Sequence, residues 1–429
     1  MSKNILYSII SLLFCAIVSI LPYYGIGSSL ALIGSTLCVI IACIIPINVC
    51  LYCICFAYPF SAVLLLPIGL SITTILELIF IIRTLTHPKI EISSLSLIGI
   101  GMFVFFSQLI PFLIFDLSIS KIFVLCYNIL IFLCVYKISK KNQINQTLLY
   151  LSFALGVLIS CFISLYTNNN ADVDPDYIGR FVGLWTDPNF LGMFCMLSIV
   201  ALFSKTGYNL KKLLLSIPII AGLSYWGLLT QSRTFLIVYA FFIVLFLIRA
   251  FYKLNLRNIL IGVMIIAGII NSSSYVIETL MSRNTGRDWT NGRLNDTQIA
   301  FDAYCSDWRS LLFGVGFDNE ANFLDKQNLR AITSHNTYAD ILIELGAIFV
   351  LGLCISLATN SYNIKKYTQK IFTQDGYPFL TILIYAGALS LLKYEVFYIF
   401  SALFFIDNKK QIGQNETSPY YRPMLISNE

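Results

Sequence analysis

Four residues between positions 180 and 335 could do chemistry together. Arg180 stands in GRFVGLWTDPNF, Arg233 in QSRTF, Arg293 in NGRLNDTQIAFDAY and His335 in TSHNTYADILIELG. A guanidinium stays charged at any useful pH, and its planar fork suits paired hydrogen bonds to a phosphate. Three such groups at one depth would fit a pyrophosphate. An imidazole titrates near neutrality and is the natural proton acceptor at physiological pH. At a helix N-terminus the dipole disfavours the cation and keeps the ring basic. Bland alternatives stand beside these readings. Each arginine could pair with a carboxylate such as Asp187, Asp296 or Asp302, and His335 could cap its helix. Asp187-Pro188-Asn189 reads as a turn into the next helix, because proline presets the dihedral and Asx side chains satisfy free N–H groups. Asp187, Asn189, Asn336 and Tyr338 are weaker candidates for substrate contact.

The elements that must position these residues are membrane spans. The chain has 429 residues, of which 58% are hydrophobic and 12% charged. A soluble domain carries roughly 25% charged residues, so a water-soluble globule is excluded. The apolar runs are continuous and do not alternate, which excludes a transmembrane barrel. The expectation is an all-α polytopic protein of about 12–14 transmembrane helices, with one large outer loop that contains short helices.

With about 20 apolar residues per span, the candidates are 5–22, 27–46, 48–66, 69–85, 95–115, 119–136, 147–166, 190–204, 212–230, 235–251, 258–274, 337–358, 376–391 and 395–407. This divides the chain into N-terminal spans (1–166), core spans with a first outer loop (167–274), a large outer loop (275–336) and C-terminal spans with a tail (337–429). Lys and Arg collect on alternate connections: Lys3, Arg83 with Lys89, Lys137 to Lys141, Lys205 to Lys212, Arg249 to Arg257, Lys365 to Lys370, and Lys409 with Lys410. The positive-inside rule makes that face cytoplasmic, with both termini on it. Arg180, Arg233, Arg283, Arg287, Arg293, Arg309 and Arg330 then lie on the outer face, against the bias. They predict an anion there.

Other chemistries find less support. The 12 cysteines sit in or beside apolar runs, except Cys305, and read as small buried apolar residues. No CxxC pair has a second cluster to complete a metal site, so neither metal nor cofactor is expected. GVGF at 314–317 is a lone glycine turn, and no GxxxxGK[ST] phosphate loop occurs. His87 lies on a cytoplasmic turn and carries no assigned role. Trp185, Trp226, Trp289 and Trp308 read better as an interfacial belt than as sugar platforms. Lys393 and Glu395, between the last two spans, read as an ion pair or a bend, although intramembrane charges are functional candidates by default. Lys3 precedes an apolar stretch with no small-residue cleavage site, so the N-terminus reads as a first span.

The residues singled out above also carry a resemblance. The chain resembles the O-antigen polymerase and O-antigen ligase superfamily of bacterial surface-polysaccharide assembly. The matching pieces are R-F-x-G-L-x-x-D-P-N from Arg180 to Asn189, S-R-T from Ser232 to Thr234, G-R at Gly292 and Arg293, G-V-G from Gly314 to Gly316, and S-H-N-T-Y with a following E-L-G from Ser334 to Gly346. They recur in order over about 180–346.

The resemblance implies a metal-independent glycosyltransferase of the bacterial inner membrane, with its site facing the periplasm or exterior. Its donor would be a glycan on undecaprenyl diphosphate. The acceptor would be a second lipid-linked repeat unit in a polymerase, or lipid A–core in a ligase. Arg180, Arg233 and Arg293 would hold the diphosphate, and His335 would deprotonate or orient the acceptor hydroxyl. The D-P-N and S-R-T pieces favour the polymerase. The lipid bilayer and a polysaccharide chain-length regulator are the other candidate partners, and no nucleic acid is expected. A lipid-linked oligosaccharide flippase is the competing class. Transporters are commonly built from internal repeats, whereas here the polar loop and the interfacial arginines all lie from Arg180 onward, with no duplicate before it.

Overall fold

The computed structural model describes residues 36–37, 39–61, 71–88, 93–141, 144–167, 180–185, 187–206, 210–252, 293–329, 334–359 and 361–406. The expected spans 5–22 and 258–274 lie outside these residues, as do half of 27–46, Arg283, Arg287, Arg330, Trp289, Lys409 and Lys410. The described chain is all-helical, with no β-strand.

The apolar runs become α1 (Ile47–Ala57, continued by a 3-10 turn to Phe60), α2 (Ile72–Leu85), α3 (Ser94–Ile114), α4 (Ile119–Lys140), α5 (Gln146–Thr167), α6 (Pro188–Thr206), α7 (Leu210–Leu229) and α8 (Arg233–Tyr252). Among the described residues, the large loop holds three short helices: α9 (Arg293–Ser306), α10 (Trp308–Phe313) and α11 (Glu320–Lys326). There follow α12 (Thr337–Thr359), α13 (Ser361–Ile371), α14 (Tyr377–Ala386) and α15 (Glu395–Phe404). Among the described residues, the stretches 97–114, 119–140, 146–165 and 188–205 are each long and apolar enough to cross a membrane.

Apolar burial sets the order of the layers. α6 packs against α5, α7, α8 and α14, and 94% of its apolar stretch is buried. It is apolar on every side because neighbours cover every side. α3 is only 18% buried over its span, so most of its apolar surface is left to face lipid.

Segments that the charge alternation puts on one face meet one another. At one end Lys205 pairs with Asp375 at 2.7 Å, and Arg83 Nη1 donates to the Ala42 carbonyl. At the other end Lys326 pairs with Asp116, and Lys121 donates to the Asp318 carbonyl. The large loop is thereby pinned to the α3–α4 turn.

The structure also differs from expectation. The basic connection after 359 is itself the helix α13, since its lysines fall on the polar side of an amphipathic pattern. The 376–391 run is helical only to Ala386, and the chain from Gly387 to Tyr394 is a non-helical strap. Cys43, Cys305 and Cys354 are exposed and not buried, whereas Cys50, Cys53, Cys55, Cys134, Cys161 and Cys195 are buried as expected.

α12 is interrupted at Gly346, where φ is 81° and ψ 163°. The loop glycine Gly314, at φ 77°, lies against it. A Cβ on Gly346 would come within 2.4 Å of the Gly314 nitrogen, and one on Gly314 within 2.3 Å of the Glu344 oxygen. The Val315 N–H donates to the Ile343 carbonyl at 2.9 Å, and the Gly316 N–H to that of Glu344 at 3.1 Å. The G-V-G and E-L-G pieces therefore form one backbone crossing that docks the loop on α12. Gly346→Ala is expected to lose more than about 2 kcal/mol of stability, from both the positive φ and the missing space. Thermal unfolding in detergent, followed by tryptophan fluorescence, reads this, and an unchanged melting curve would contradict it.

Candidate functional site

Two polar networks hold the residues singled out in the sequence. The first is built around Arg180, whose side chain is 8% exposed. Its Nε donates to the Thr230 carbonyl at 2.9 Å and its Nη2 to Asn189 Oδ1 at 3.2 Å. Asp187 Oδ1 accepts the Asn189 backbone N–H at 2.7 Å and its Nδ2 at 2.9 Å, which is the Asx turn the sequence predicts. Asn189 Oδ1 also accepts the Ser232 hydroxyl at 3.0 Å. Ser232 Oγ in turn accepts the Phe235 N–H at 3.4 Å, the N-cap bond of α8. The Phe181 N–H joins the Leu229 carbonyl at 3.0 Å.

Residues some fifty positions apart thus close on the turn that carries Arg233, the first residue of α8. Arg180 and Asn189 fix this turn. Gln231, inside it, holds φ at 51°, a left-handed conformation uncommon for a non-glycine residue.

The second network surrounds His335, which also sits at positive φ (50°). Ser334 before it donates its N–H to Glu320 Oε2 at 3.0 Å and its hydroxyl to Asp340 Oδ1. The Ser334 carbonyl accepts the Thr297 hydroxyl of α9 at 2.9 Å. After it, Asn336 caps α12: its Oδ1 accepts the Tyr338 N–H at 3.0 Å. Thr337 donates its N–H to the Leu389 carbonyl at 3.2 Å and accepts the Leu391 N–H at 2.8 Å. The Tyr338 hydroxyl donates to the Leu383 carbonyl at 2.7 Å. The neighbours of His335 are therefore committed to scaffold bonds, and they hold its backbone in a left-handed conformation uncommon for a non-glycine residue. α9, which begins at Arg293, is tied to the same segment through Thr297.

The strap from Gly387 to Tyr394 joins the two networks. Tyr394 packs on Phe190 of α6 with ring centroids 4.4 Å apart and lies 5.9 Å from Trp185. Lys393 lies 3.5 Å from Asp318. It pairs there with the outer loop, not with Glu395, which accepts the Tyr58 hydroxyl at 3.1 Å. Lys393 lines two cavities. One, about 30 Å³, is walled by Asp318, Glu320, Asp340 and Glu344. Burial pushes the Glu320 carboxyl up to about 7, although the Ser334 N–H on its oxygen pulls the other way. The second, about 290 Å³, lies between α2, the strap and Trp185.

Sequence reasoning did not single out Glu320 or Glu77. For Glu77 the signal was present, as a lone carboxylate inside an apolar helix. Glu320 gave none, since one carboxylate in a polar loop is unremarkable. Trp185, read as a belt residue, is instead an inward-packed ring. Its Nε1 donates to the Pro59 carbonyl at 3.0 Å, and its centroid is 5.0 Å from that of Phe194.

Residues 218–355 match the family described as O-antigen ligase. No curated protein matches the chain. The matched segment runs from the middle of α7 to the last turns of α12 and carries Arg233, Arg293 and His335. The Arg180–Asn189 segment lies upstream of it and reaches it through the hydrogen bonds to Thr230 and Ser232. Over residues 218–355 the chain is thus similar to the O-antigen ligase family, and its described part holds four helices long and apolar enough to cross a membrane.

Proposed function

We propose that the protein polymerises oligosaccharide repeat units carried on undecaprenyl diphosphate, at the outer face of the bacterial cytoplasmic membrane. The observation that carries this reading is the convergence of Arg180, Asp187 and Asn189 on the turn that presents Arg233. An arginine at a helix N-terminus opposes the dipole, a placement that favours function over stability. The same N-terminus, through its dipole, attracts anions. Arg233 would then hold the donor diphosphate, with Arg180 fixing its turn and Arg293 contributing from the start of α9.

The chemistry asks for little else. The acceptor hydroxyl oxygen bonds to the anomeric carbon, and the bond from that carbon to the diphosphate oxygen breaks. Undecaprenyl diphosphate leaves with the electron pair, and the hydroxyl proton passes to His335. Positioning and charge stabilisation supply most of the rate.

A second reading is transfer of the finished glycan to lipid A–core, favoured by the O-antigen ligase description of the match over 218–355. Purified protein given a lipid-linked oligosaccharide separates the two. Products rising by one repeat unit support the polymerase, and product formed only after lipid A–core is added supports the ligase. Among the described residues no group of three or more His, Cys, Asp or Glu side chains could hold a metal ion. The arginines replace a divalent ion in this scheme. Millimolar EDTA is therefore expected to leave the rate within about twofold of the control, and loss of activity restored by Mg²⁺ would contradict the scheme.

A further inference from the structure

The 290 Å³ cavity has a composition that the diphosphate chemistry does not use. Thr73 and Glu77, four residues apart on α2, present the same helix face to it. Both are buried, at 2% and 1% exposure. The Thr73 hydroxyl and Glu77 Oε1 have no hydrogen-bond partner among the described residues, although Glu77 Oε2 accepts the Tyr127 hydroxyl. Buried polar atoms in native folds are nearly always satisfied, so two orphans side by side in one cavity call for a ligand or ordered water. Trp185 and Tyr394 line the same space, with Glu395 beside them.

Acceptors and hydroxyls together with aromatic rings match a sugar. Its hydroxyls donate to carboxylates, and its C–H faces pack on rings. Two carboxylates disfavour a third anion, and the one cation lining the space among the described residues, Lys393, lies 3.5 Å from Asp318. We infer that this cavity is a glycan subsite that binds a neutral sugar residue of the lipid-linked substrate through Thr73, Glu77 and the Trp185 and Tyr394 rings. The inference rests on the glycosyl-transfer reading and adds to it the class of sugar and its place. Lys393, shared with the acidic cavity whose Glu320 bonds Ser334, puts this subsite next to the His335 segment.

The test uses the full chain in lipid nanodiscs, titrated with methyl glycosides of neutral hexoses, N-acetylhexosamines and hexuronic acids and read by saturation-transfer NMR. At least one neutral glycoside is expected to give transfer to its ring protons, and the uronates none. Thr73→Val and Glu77→Gln keep side-chain shape. Together they are expected to weaken binding about tenfold, while the wild-type panel stands whatever the variants do. An excess of lipid-linked oligosaccharide is expected to displace the glycoside. Silence across the neutral panel, equal binding in the double variant, or failure to be displaced would each overturn the inference. Glycoside binding by a wild-type protein that shows no transfer would remove the glycosyl-transfer reading but still support a sugar site. Transfer without glycoside binding would do the reverse.

Discussion

Arg233→Lys is expected to lower glycosyl transfer by about a hundredfold or more, the scale seen when one preorganised donor to a developing negative charge is lost. Lysine keeps the charge but replaces a rigid fork with a point charge on a flexible stem. The position makes the loss specific. Arg233 opens α8 beside Ser232, and the turn is held by Arg180, Asn189 and Thr230 through bonds of 2.9 to 3.2 Å. Those bonds belong to Arg180, Asn189, Thr230 and Ser232, so the turn itself is expected to survive the substitution. The measurement is the initial rate of product formation from a lipid-linked oligosaccharide, beside a melting curve. Full activity would remove Arg233 from the diphosphate site.

His335→Asn is expected to lower transfer by about a hundredfold to ten-thousandfold, the usual range for loss of a general base. Asparagine is the sharper substitution because it tolerates the left-handed φ of 50° at this position. His335→Ala is expected to be equally inactive and to melt slightly lower, because alanine enters the left-handed region less readily than histidine. The surrounding bonds are made by Ser334, Asn336 and Thr337, so both variants should still dock α12 on the strap. A wild-type product ladder from either variant would sink the role given to the imidazole.

Much of the fold was legible because lipid imposes a simple rule: apolar length makes a span and lysines mark a side. The expected 95–115 run is α3 at Ser94–Ile114, and 147–166 is α5 at Gln146–Thr167. Within the described site, Asp187 and Asn189 form the turn that the chemistry of D-P-N predicts. Contacts across the chain were not legible. Nothing in the local pattern joins Tyr58 to Glu395 or Gly314 to Gly346, because such pairs depend on which helices become neighbours. The α13 helix was missed because a lysine-rich stretch reads as a loop until its period is counted. Glu77 was passed over because one carboxylate barely changes the hydropathy of a helix rich in Ile and Leu.

The central claim is that the outer arginines and His335 transfer a glycan from a lipid diphosphate. It is tested most directly by counting the leaving group. Lipid-linked repeat units, extracted from cells that lack this chain, would be given to the purified protein in buffer free of metal and nucleotide. Mass spectrometry would quantify undecaprenyl diphosphate and glycosidic bonds together. One undecaprenyl diphosphate released per new bond, with release abolished in Arg233→Lys and His335→Asn, is the predicted result. Bond formation without that release, or release unchanged in both variants, would contradict it.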